Sequence, residues 1–266
     1  MLANVGHVLE DYHRQLGELQ KHLLPRQVPR LVSWDIAAKF VMGPEPGGDY
    51  YDFFTLPDGR TAIVIGDCSG RGAIAVVMMA VVRALLHCCP LSSGTDATPF
   101  CVLSGSMPQP PYRVLGQLNC NVKENLPMVE FMTMFYGLLN PADGILCFSN
   151  AGHPTPRLWR AKTGLVEPVG NISAPAIGLE LRPDYRSEPI QIDPQDVFVA
   201  FTRGLMEARN KQGDRFEAGG IDQAILESCG GSTDAICSTI LDSLAKFRGE
   251  QQPRDDVTLV VVRRSG

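Results

Sequence analysis

The first part of the chain places apolar side chains at helical spacing. Between residues 4 and 24 these positions follow one another in steps of four, three, four, three and four: Val5, Leu9, Tyr12, Leu16, Leu19 and Leu23. Such steps predict a helix with a heptad seam, and Pro25 and Pro29 predict its end. The seam can pack on the helix's own domain or pair with a second chain. With fewer than three heptads, both interpretations stay open.

Most other apolar positions fall in runs of strand length. Strands are predicted at 33–41, 50–56, 61–67, 130–140, 144–150, 156–160, 196–202 and 257–263, with Asp58-Gly59 as a hairpin turn. Helices are predicted at 73–88, 112–125, 219–229 and 232–248, and the first is apolar on nearly every face, which indicates burial between layers. Residues 89–111 and the Pro/Gly-rich stretch 168–189 are expected to be irregular. Hairpin-linked strands with paired helices favour antiparallel sheets covered by helices, an α+β fold.

Composition narrows the class of protein. The chain has 266 residues, 44% of them hydrophobic, which fits one sizeable domain, and its net charge of −5 argues against a nucleic-acid binder. No apolar run reaches 18 residues and no signal peptide is evident, so we expect a cytoplasmic protein without a membrane span. The eight cysteines form no C-x-x-C pair and are expected to be free thiols.

Acidic residues cluster where predicted strands begin or end. Asp49 and Asp52 lie in GGDYYD, Asp67 follows IVIG, and Asp255 with Asp256 precedes VTL. Mg²⁺ and Mn²⁺ prefer carboxylate, carbonyl and water oxygens, and strand ends beside glycines can supply them. Taken alone, the spacing of any one of these aspartates favours a turn residue over a metal ligand.

Six blocks in order carry a family resemblance: GGDYYDFF, GDCSGRG, FMTMFYGLLN, SNAGHP, FTRGLMEA and DDVTLVVV. Together they resemble the signature blocks of bacterial PPM-type (protein phosphatase 2C-like) serine/threonine phosphatases of the SpoIIE and RsbU type. The segment LQKHLLPRQVP resembles the start of that domain, so the resemblance spans about residues 16 to 264. It implies a four-layer αββα sandwich, in which two stacked antiparallel sheets are flanked by helices.

The resemblance also implies a two-metal site for Mn²⁺ or Mg²⁺ at one edge of the sandwich. By motif match Asp67 would bridge the metals, Asp49 and the Cys68 carbonyl would serve one, and Asp255 the other. Asp49 and Asp67 are thus the expected catalytic pair, and a water held by the metals the nucleophile. The sequence has neither H-C-x₅-R nor G-x-S-x-G, which agrees with a mechanism without a phosphoenzyme. His153 in SNAGHP is expected to be structural.

Two positions depart from the family pattern. Arg203 stands where a further metal-binding aspartate is usual, and arginine has no acceptor atom with which to ligate a metal. Arg71 stands where histidine is usual and could add positive charge near a phosphate. Three interpretations follow: Asp256 or Glu207 substitutes as a ligand, Arg203 itself holds the phosphate, or the domain is degenerate and only binds a partner.

The leading hypothesis is a phosphatase acting on a phosphorylated regulator such as an anti-sigma factor antagonist. A non-catalytic binding module and a hydrolase of small phosphate esters are the alternatives. We expect an N-terminal helix over residues 1–25 and a phosphatase domain over residues 26–266. Residues 4–24 are expected to mediate a homodimer or contact with a sensor or regulator in trans, with no nucleic-acid or membrane partner.

Overall fold

The structure is a computed structural model that describes residues 2–87, 109–125, 131–170 and 174–265. Most of the irregular segment expected at 89–111 therefore lies outside the described residues. Within them, no helix is long and apolar enough to cross a membrane.

Within the described residues, ten strands form two antiparallel five-stranded sheets. The first sheet has the order β1-β10-β9-β6-β7 and contains β1 (Trp34–Val41), β6 (Arg157–Trp159), β7 (Val166–Pro168), β9 (Val197–Phe201) and β10 (Val257–Arg264). The second has the order β2-β3-β4-β5-β8 and contains β2 (Asp49–Thr55), β3 (Thr61–Cys68), β4 (Met132–Leu139), β5 (Ile145–Ala151) and β8 (Glu188–Gln191). The central strands β3 and β4 are buried along their whole length, because both faces of their sheet are covered.

In the ranges that the structure describes, the chain also forms six helices: α1 (Leu2–Leu23), α2 (Ala73–His87), α3 (Pro111–Asn125), α4 (Arg203–Met206), α5 (Glu217–Ser228) and α6 (Thr233–Arg248). Helices α2 and α3 pack on the second sheet, while α5 and α6 cover the outer face of the first. One apolar core lies between the sheets and under α2 and α3, and a second lies under α5 and α6. This is the α+β sandwich with helices outside two stacked sheets, as predicted.

The hairpin turn at Asp58-Gly59 is confirmed and determines the register of β2 against β3. Gly59 adopts φ +85°, and its N–H donates to the Leu56 carbonyl oxygen at 2.9 Å. Glycine is favoured at this position because the turn requires a left-handed backbone conformation. With this turn, Thr55 lies opposite Thr61, and the ladder continues to Asp49 opposite Asp67.

Three details differ from the sequence-based predictions. The stretch 168–189 was expected to be irregular, yet it contains the start of β8, and the short strand β7 ends at its beginning. The four-residue helix α4 was not predicted either. Helix α2 is not buried on every face, because Ile74 and Val77 remain 48% and 49% exposed. Strands of three or four residues and a single helical turn are too short to show a period in sequence.

Helix α1 packs beside α2 by a face adjacent to the predicted seam. Gly17 and Gln20 are buried, and a side chain at Gly17 would collide with Met42. Two seam residues, Tyr12 and Leu19, are 46% and 51% exposed. Part of the described seam therefore stays exposed when α1 packs on its own chain.

Candidate active site

Two carboxylates face each other across neighbouring strands at one edge of the sandwich. Asp49 begins β2 and lies directly opposite Asp67 near the end of β3. Both side chains are buried, at 2% and 4% exposure. Gly48, at φ +79°, precedes Asp49, and a Cβ there would lie 2.7 Å from the Ala75 side chain of α2. Glycine at this point therefore lets α2 approach the edge that carries the acids.

Hydroxyl groups from the other sheet hold Asp49. Thr202 Oγ1, after β9, and Thr258 Oγ1, in β10, each donate to Asp49 Oδ2 at 2.7 Å. The Thr258 N–H donates in turn to Thr202 Oγ1 at 3.0 Å. These bonds join the two sheets at the site and fix one oxygen of Asp49. In the part of the chain that the structure describes, no hydrogen bond to Asp49 Oδ1 is formed, so this oxygen can face a cation.

Burial and neighbouring negative charges raise the pKa of both acids. Desolvation raises the pKa of Asp49 well above its usual value, and the charges of Asp67 and Asp256 raise it further against the two threonine hydrogen bonds. Desolvation raises the pKa of Asp67 to about 7, opposed by the positive charge of Arg203. Buried carboxylates with raised pKa values are typical of functional sites and of sites that gain a cation.

Arg203, at the start of α4, faces Asp67. Its Nε atom lies 3.4 Å from Asp67 Oδ2, and its side chain is 37% exposed. Arg203 also lines a cavity of about 910 Å³ together with Thr133 and His153. The guanidinium is thus placed between a buried carboxylate and an open cavity, where it can contact an anion.

Asp255 and Arg71 form the outer rim of the same site. Arg71 Nη2 lies 3.5 Å from Asp255 Oδ2, and both side chains are partly exposed. The negative charge of Asp255 raises the pKa of Asp67, as does that of Glu207. Glu207 itself is 51% exposed and lies 3.9 Å from Arg215.

Asp256 has a structural environment. Its Oδ1 accepts the Gly43 N–H and its Oδ2 accepts the Gly47 N–H, both at 2.8 Å. Gln20 Nε2 of α1 donates to the same Oδ2 at 2.7 Å and to the Asp49 carbonyl oxygen at 3.2 Å. Because both oxygens of Asp256 are occupied, they hold the loop before β2 and argue against Asp256 as a substitute ligand.

Cys68 and His153 lie behind the acids. The Cys68 thiol is buried and its pKa is raised well above the usual value by burial, so any ligand role belongs to its backbone. Thr133 Oγ1 donates to the Asp67 carbonyl oxygen at 3.3 Å and lies 3.0 Å from His153 Nδ1. Burial lowers the pKa of His153 to about 3, so the imidazole is neutral near pH 7. This environment agrees with the structural role expected for His153.

The donor set can be tested for its fit to a divalent cation. In the described part of the chain no three His, Cys, Asp or Glu side chains are assembled as a metal cluster. Asp49 and Asp67 nevertheless present buried oxygen donors with surplus negative charge, which suits one hard cation. The second position of the family fits less well, because Arg203 faces Asp67 and Arg71 faces Asp255.

Three partners of the acids were not predicted from sequence: Gln20, Thr202 and Thr258. Thr202 and Thr258 lie in the blocks FTRG and DDVTL, next to positions that were singled out. A hydroxyl beside a candidate ligand is a usable signal, since ligating carboxylates are commonly hydrogen-bonded. Gln20 gave no such signal, because a polar residue in an amphipathic helix is normally solvated.

Comparison with protein-family models shows to which family this chain belongs. The family model described as Stage II sporulation protein E (SpoIIE) matches residues 57–265, well over half of the chain. The chain belongs to the SpoIIE family. The resemblance seen in the sequence blocks is thereby confirmed.

Two curated relatives are similar in sequence to this SpoIIE-family chain. Phosphoserine phosphatase RsbU of Bacillus subtilis is 28% identical over 251 residues, which cover 93% of this chain and 68% of RsbU. Protein IcfG of Synechocystis sp. is 26% identical over 262 residues, which cover 93% of this chain and 40% of IcfG. The chain thus spans less than half the length of IcfG.

Solved structures confirm the PP2C fold of this SpoIIE-family member. The SiaA-PP2C domain of Pseudomonas aeruginosa superposes with a TM-score of 0.76 at 19% identity, covering 99% of this chain and 98% of that one. The RsbU and RsbW domains of Rv1364c from Mycobacterium tuberculosis give a TM-score of 0.66 at 25% identity, covering 87% and 60%.

Proposed function

We propose that this chain is a metal-dependent protein serine/threonine phosphatase. The observation that carries the proposal is the buried Asp49–Asp67 pair at the open edge of the sandwich. A Mn²⁺ or Mg²⁺ ion would be held by Asp49, Asp67 and the Cys68 carbonyl, with Asp255 at the weaker second position. Such an ion supplies a lowered pKa for bound water and neutralises charge on the phosphoryl group.

The protein's own residues position and balance the charges of the reaction. Thr202 and Thr258 orient Asp49, and the hydrogen bonds of Asp256 fix the loop beside it. Arg203 faces the cavity next to Asp67 and can hold a phosphoryl oxygen in place of a lost metal ligand. Hydrolysis breaks the phosphorus–oxygen bond to the serine or threonine, releasing phosphate and the free hydroxyl.

A phosphorylated regulatory protein is the proposed substrate, and an anti-sigma factor antagonist is the leading candidate. The support is the similarity to phosphoserine phosphatase RsbU and to a protein that joins RsbU and RsbW domains. No feature of the site itself selects one regulator over another.

A second candidate function is a non-catalytic module that binds a phosphoprotein without turnover. It is favoured by one observation: the Arg203 guanidinium lies 3.4 Å from the aspartate expected to bridge two metals. An immobile positive charge there competes with a divalent cation for the same carboxylate.

Turnover distinguishes the two candidates. The wild type and Arg203→Asp are assayed with Mn²⁺ on p-nitrophenyl phosphate and on a phosphoserine peptide. Hydrolysis by the wild type, lost in Asp67→Asn, supports the phosphatase. An inactive wild type beside an active Arg203→Asp variant would establish the binding module instead.

The N-terminal helix is proposed as an assembly element over residues 1–25, ahead of the phosphatase domain at 26–266. Tyr12 and Leu19 on α1 are about half exposed, as are Ile74 and Val77 on the neighbouring α2. Apolar side chains exposed on two adjacent helices favour a contact with another α-helical surface. We infer a homodimer through α1 or a sensor protein bound in trans, and Gln20 connects that helix to the acidic site.

A further inference from the structure

A second cleft lies beside the acidic site, on the side of α6. It has a volume of about 480 Å³ and is bounded by the turn at 209–213, the end of α6 and the segment 251–254. The segment 251–254 runs directly into Asp255, and Gly204, next to Arg203, also lines the cleft. The cleft therefore begins where the proposed phosphatase site ends.

The side chains around this cleft are mostly cationic. Five basic residues line it against two acidic ones: Arg71, Arg209, Lys211, Arg248 and Arg254, with Glu207 and Asp255. Each of the two acids already has an arginine within ion-pair distance. This local surplus of positive charge contrasts with the net charge of −5 for the whole chain.

In the ranges that the structure describes, four of these five cations form no ion pair with a carboxylate: Arg209, Lys211, Arg248 and Arg254. Arg209 instead donates to a carbonyl oxygen of its own turn. The Nε atom of Arg248 is buried and also has no hydrogen-bond partner within the described residues. A buried guanidinium nitrogen without an acceptor is costly, so Arg248 keeps unused hydrogen-bonding capacity beside the cleft.

The turn that forms one wall is held by its own hydrogen bonds. Asn210 Nδ2 donates to Asp214 Oδ2 at 3.0 Å, and the Asp214 N–H donates to Asn210 Oδ1 at 2.9 Å. Arg209 Nη1 donates to the Gly213 carbonyl oxygen at 2.5 Å. Lys211 is exposed at this turn, so its ammonium group is presented by a fixed backbone.

We propose that this cleft binds an acidic segment of the phosphoprotein substrate while the phosphorylated side chain occupies the site at Asp49 and Asp67. The part of this inference that places the phosphorylated side chain at Asp49 and Asp67 rests on the proposed function. The volume exceeds that of one phosphate group, and the cations come from separate segments of chain. Several carboxylates along a polypeptide match such a distribution better than one compact anion does.

Two phosphoserine peptides test the inference. They are identical except that glutamates flanking the phosphoserine in one are glutamines in the other. With Mn²⁺ at low ionic strength, we expect kcat/KM for the acidic peptide to be higher by about fivefold or more, mainly through KM, as a few exposed charge contacts allow. Equal kcat/KM values for the two peptides would overturn the inference.

Charge reversal locates the effect. Lys211→Glu with Arg254→Glu changes two exposed cleft residues that take no part in the proposed catalytic site, and the preference for the acidic peptide should disappear. Turnover of p-nitrophenyl phosphate should not change. The matched control, Lys162→Glu with Arg182→Glu, makes the same charge change at exposed positions outside the cleft and should keep the preference. A preference that survives in the cleft variant would contradict the proposal.

A binding measurement separates this inference from the phosphatase proposal. Fluorescence anisotropy of a labelled, unphosphorylated acidic peptide needs no turnover. Binding to the wild type that is lost in the cleft variant supports the cleft even if the protein hydrolyses nothing. If the protein hydrolyses the phosphopeptides but shows neither this binding nor a preference for the acidic peptide, the phosphatase proposal stands and the proposed role of the cleft is wrong.

Discussion

Arg203 Nε lies 3.4 Å from Asp67 Oδ2, so the residue that replaces a family aspartate pairs with the carboxylate expected to bridge two metals. The pairing lowers the pKa of Asp67 against the desolvation that raises it to about 7. One guanidinium cannot balance the acids near Asp67, since Asp49 lies opposite it and the charges of Asp255, Asp256 and Glu207 also act on it. We therefore propose that the site still favours one divalent cation but is less suited to two.

Removal of Asp67 should abolish Mn²⁺ binding. Asp67 is a buried oxygen donor opposite Asp49, and Asp67→Ala leaves one carboxylate, too few for a hard cation. Isothermal titration calorimetry checks this, with Asp242→Ala as the control, which also removes one carboxylate but at an exposed position of α6. Unchanged Mn²⁺ affinity in Asp67→Ala would show that the ion is held elsewhere.

Arg203→Asp should raise the number of bound Mn²⁺ ions toward two and increase activity at modest Mn²⁺. The change removes a positive charge from Asp67 and adds a donor at the second position. Arg203→Gln removes the charge without adding a donor, and should therefore raise affinity less. The stoichiometry follows from equilibrium dialysis. Two ions bound by the wild type at modest Mn²⁺ would refute the inference that Arg203 weakens the second position.

The opposition of Asp49 and Asp67 could be predicted from the sequence, because it depends on local information. The Asp58-Gly59 turn sets the register, and counting back equal steps along both strands places these two residues opposite each other. The long buried strands could be predicted equally well from the sequence, since their apolar runs and flanking turns are unambiguous.

The contacts that orient the acids could not be predicted in the same way. Thr202 and Thr258 reach Asp49 from the other sheet, and Gln20 reaches Asp256 across 236 positions of sequence. These contacts depend on how the two sheets and α1 stack, which a hydrophobic pattern does not specify. The heptad seam likewise predicted α1 but not its buried face, because Gly17 and Gln20 lie beside the seam and carry no apolar signal.

Gln20→Ala should destabilise the protein. Gln20 is fully buried, and its amide donates to Asp256 Oδ2 at 2.7 Å, so the variant removes a hydrogen bond from a buried carboxylate. A hydrogen bond to a charged group contributes about 1.5–3 kcal/mol. Urea unfolding measures the change, and the exposed Gln15→Ala is the control on the same helix. A loss no larger than that of the control would show that this contact is not a stabilising link.

Acidic substitutions on the exposed seam should weaken assembly through α1. Tyr12→Glu with Leu19→Glu places two charges where another apolar surface is expected, and both positions are exposed enough to leave the fold intact. Light scattering should show a dimer for the wild type and a monomer for the variant. Arg14→Gln with Lys21→Gln changes the net charge equally on the other side of the helix and should stay dimeric. A monomeric wild type would rule out the homodimer and leave only a partner in trans.

His153 should make the protein less stable in mild acid. Its pKa is about 3 in the folded protein, where burial disfavours the charged form, and about 6.5 when unfolded. Below pH 6.5 the unfolded chain therefore takes up a proton that the folded chain does not. The contribution of this group is fully present above pH 6.5 and falls by about 1.4 kcal/mol per pH unit below it, or about 2 kcal/mol at pH 5.

The raised pKa values of Asp49 and Asp67 act in the opposite direction, so the wild type alone does not isolate the effect. The free energy of unfolding of the wild type minus that of His153→Gln, measured in urea at pH 7 and pH 5, cancels the carboxylates. That difference should fall by about 2 kcal/mol between the two pH values, and a difference independent of pH would show that His153 is accessible to protons in the folded state.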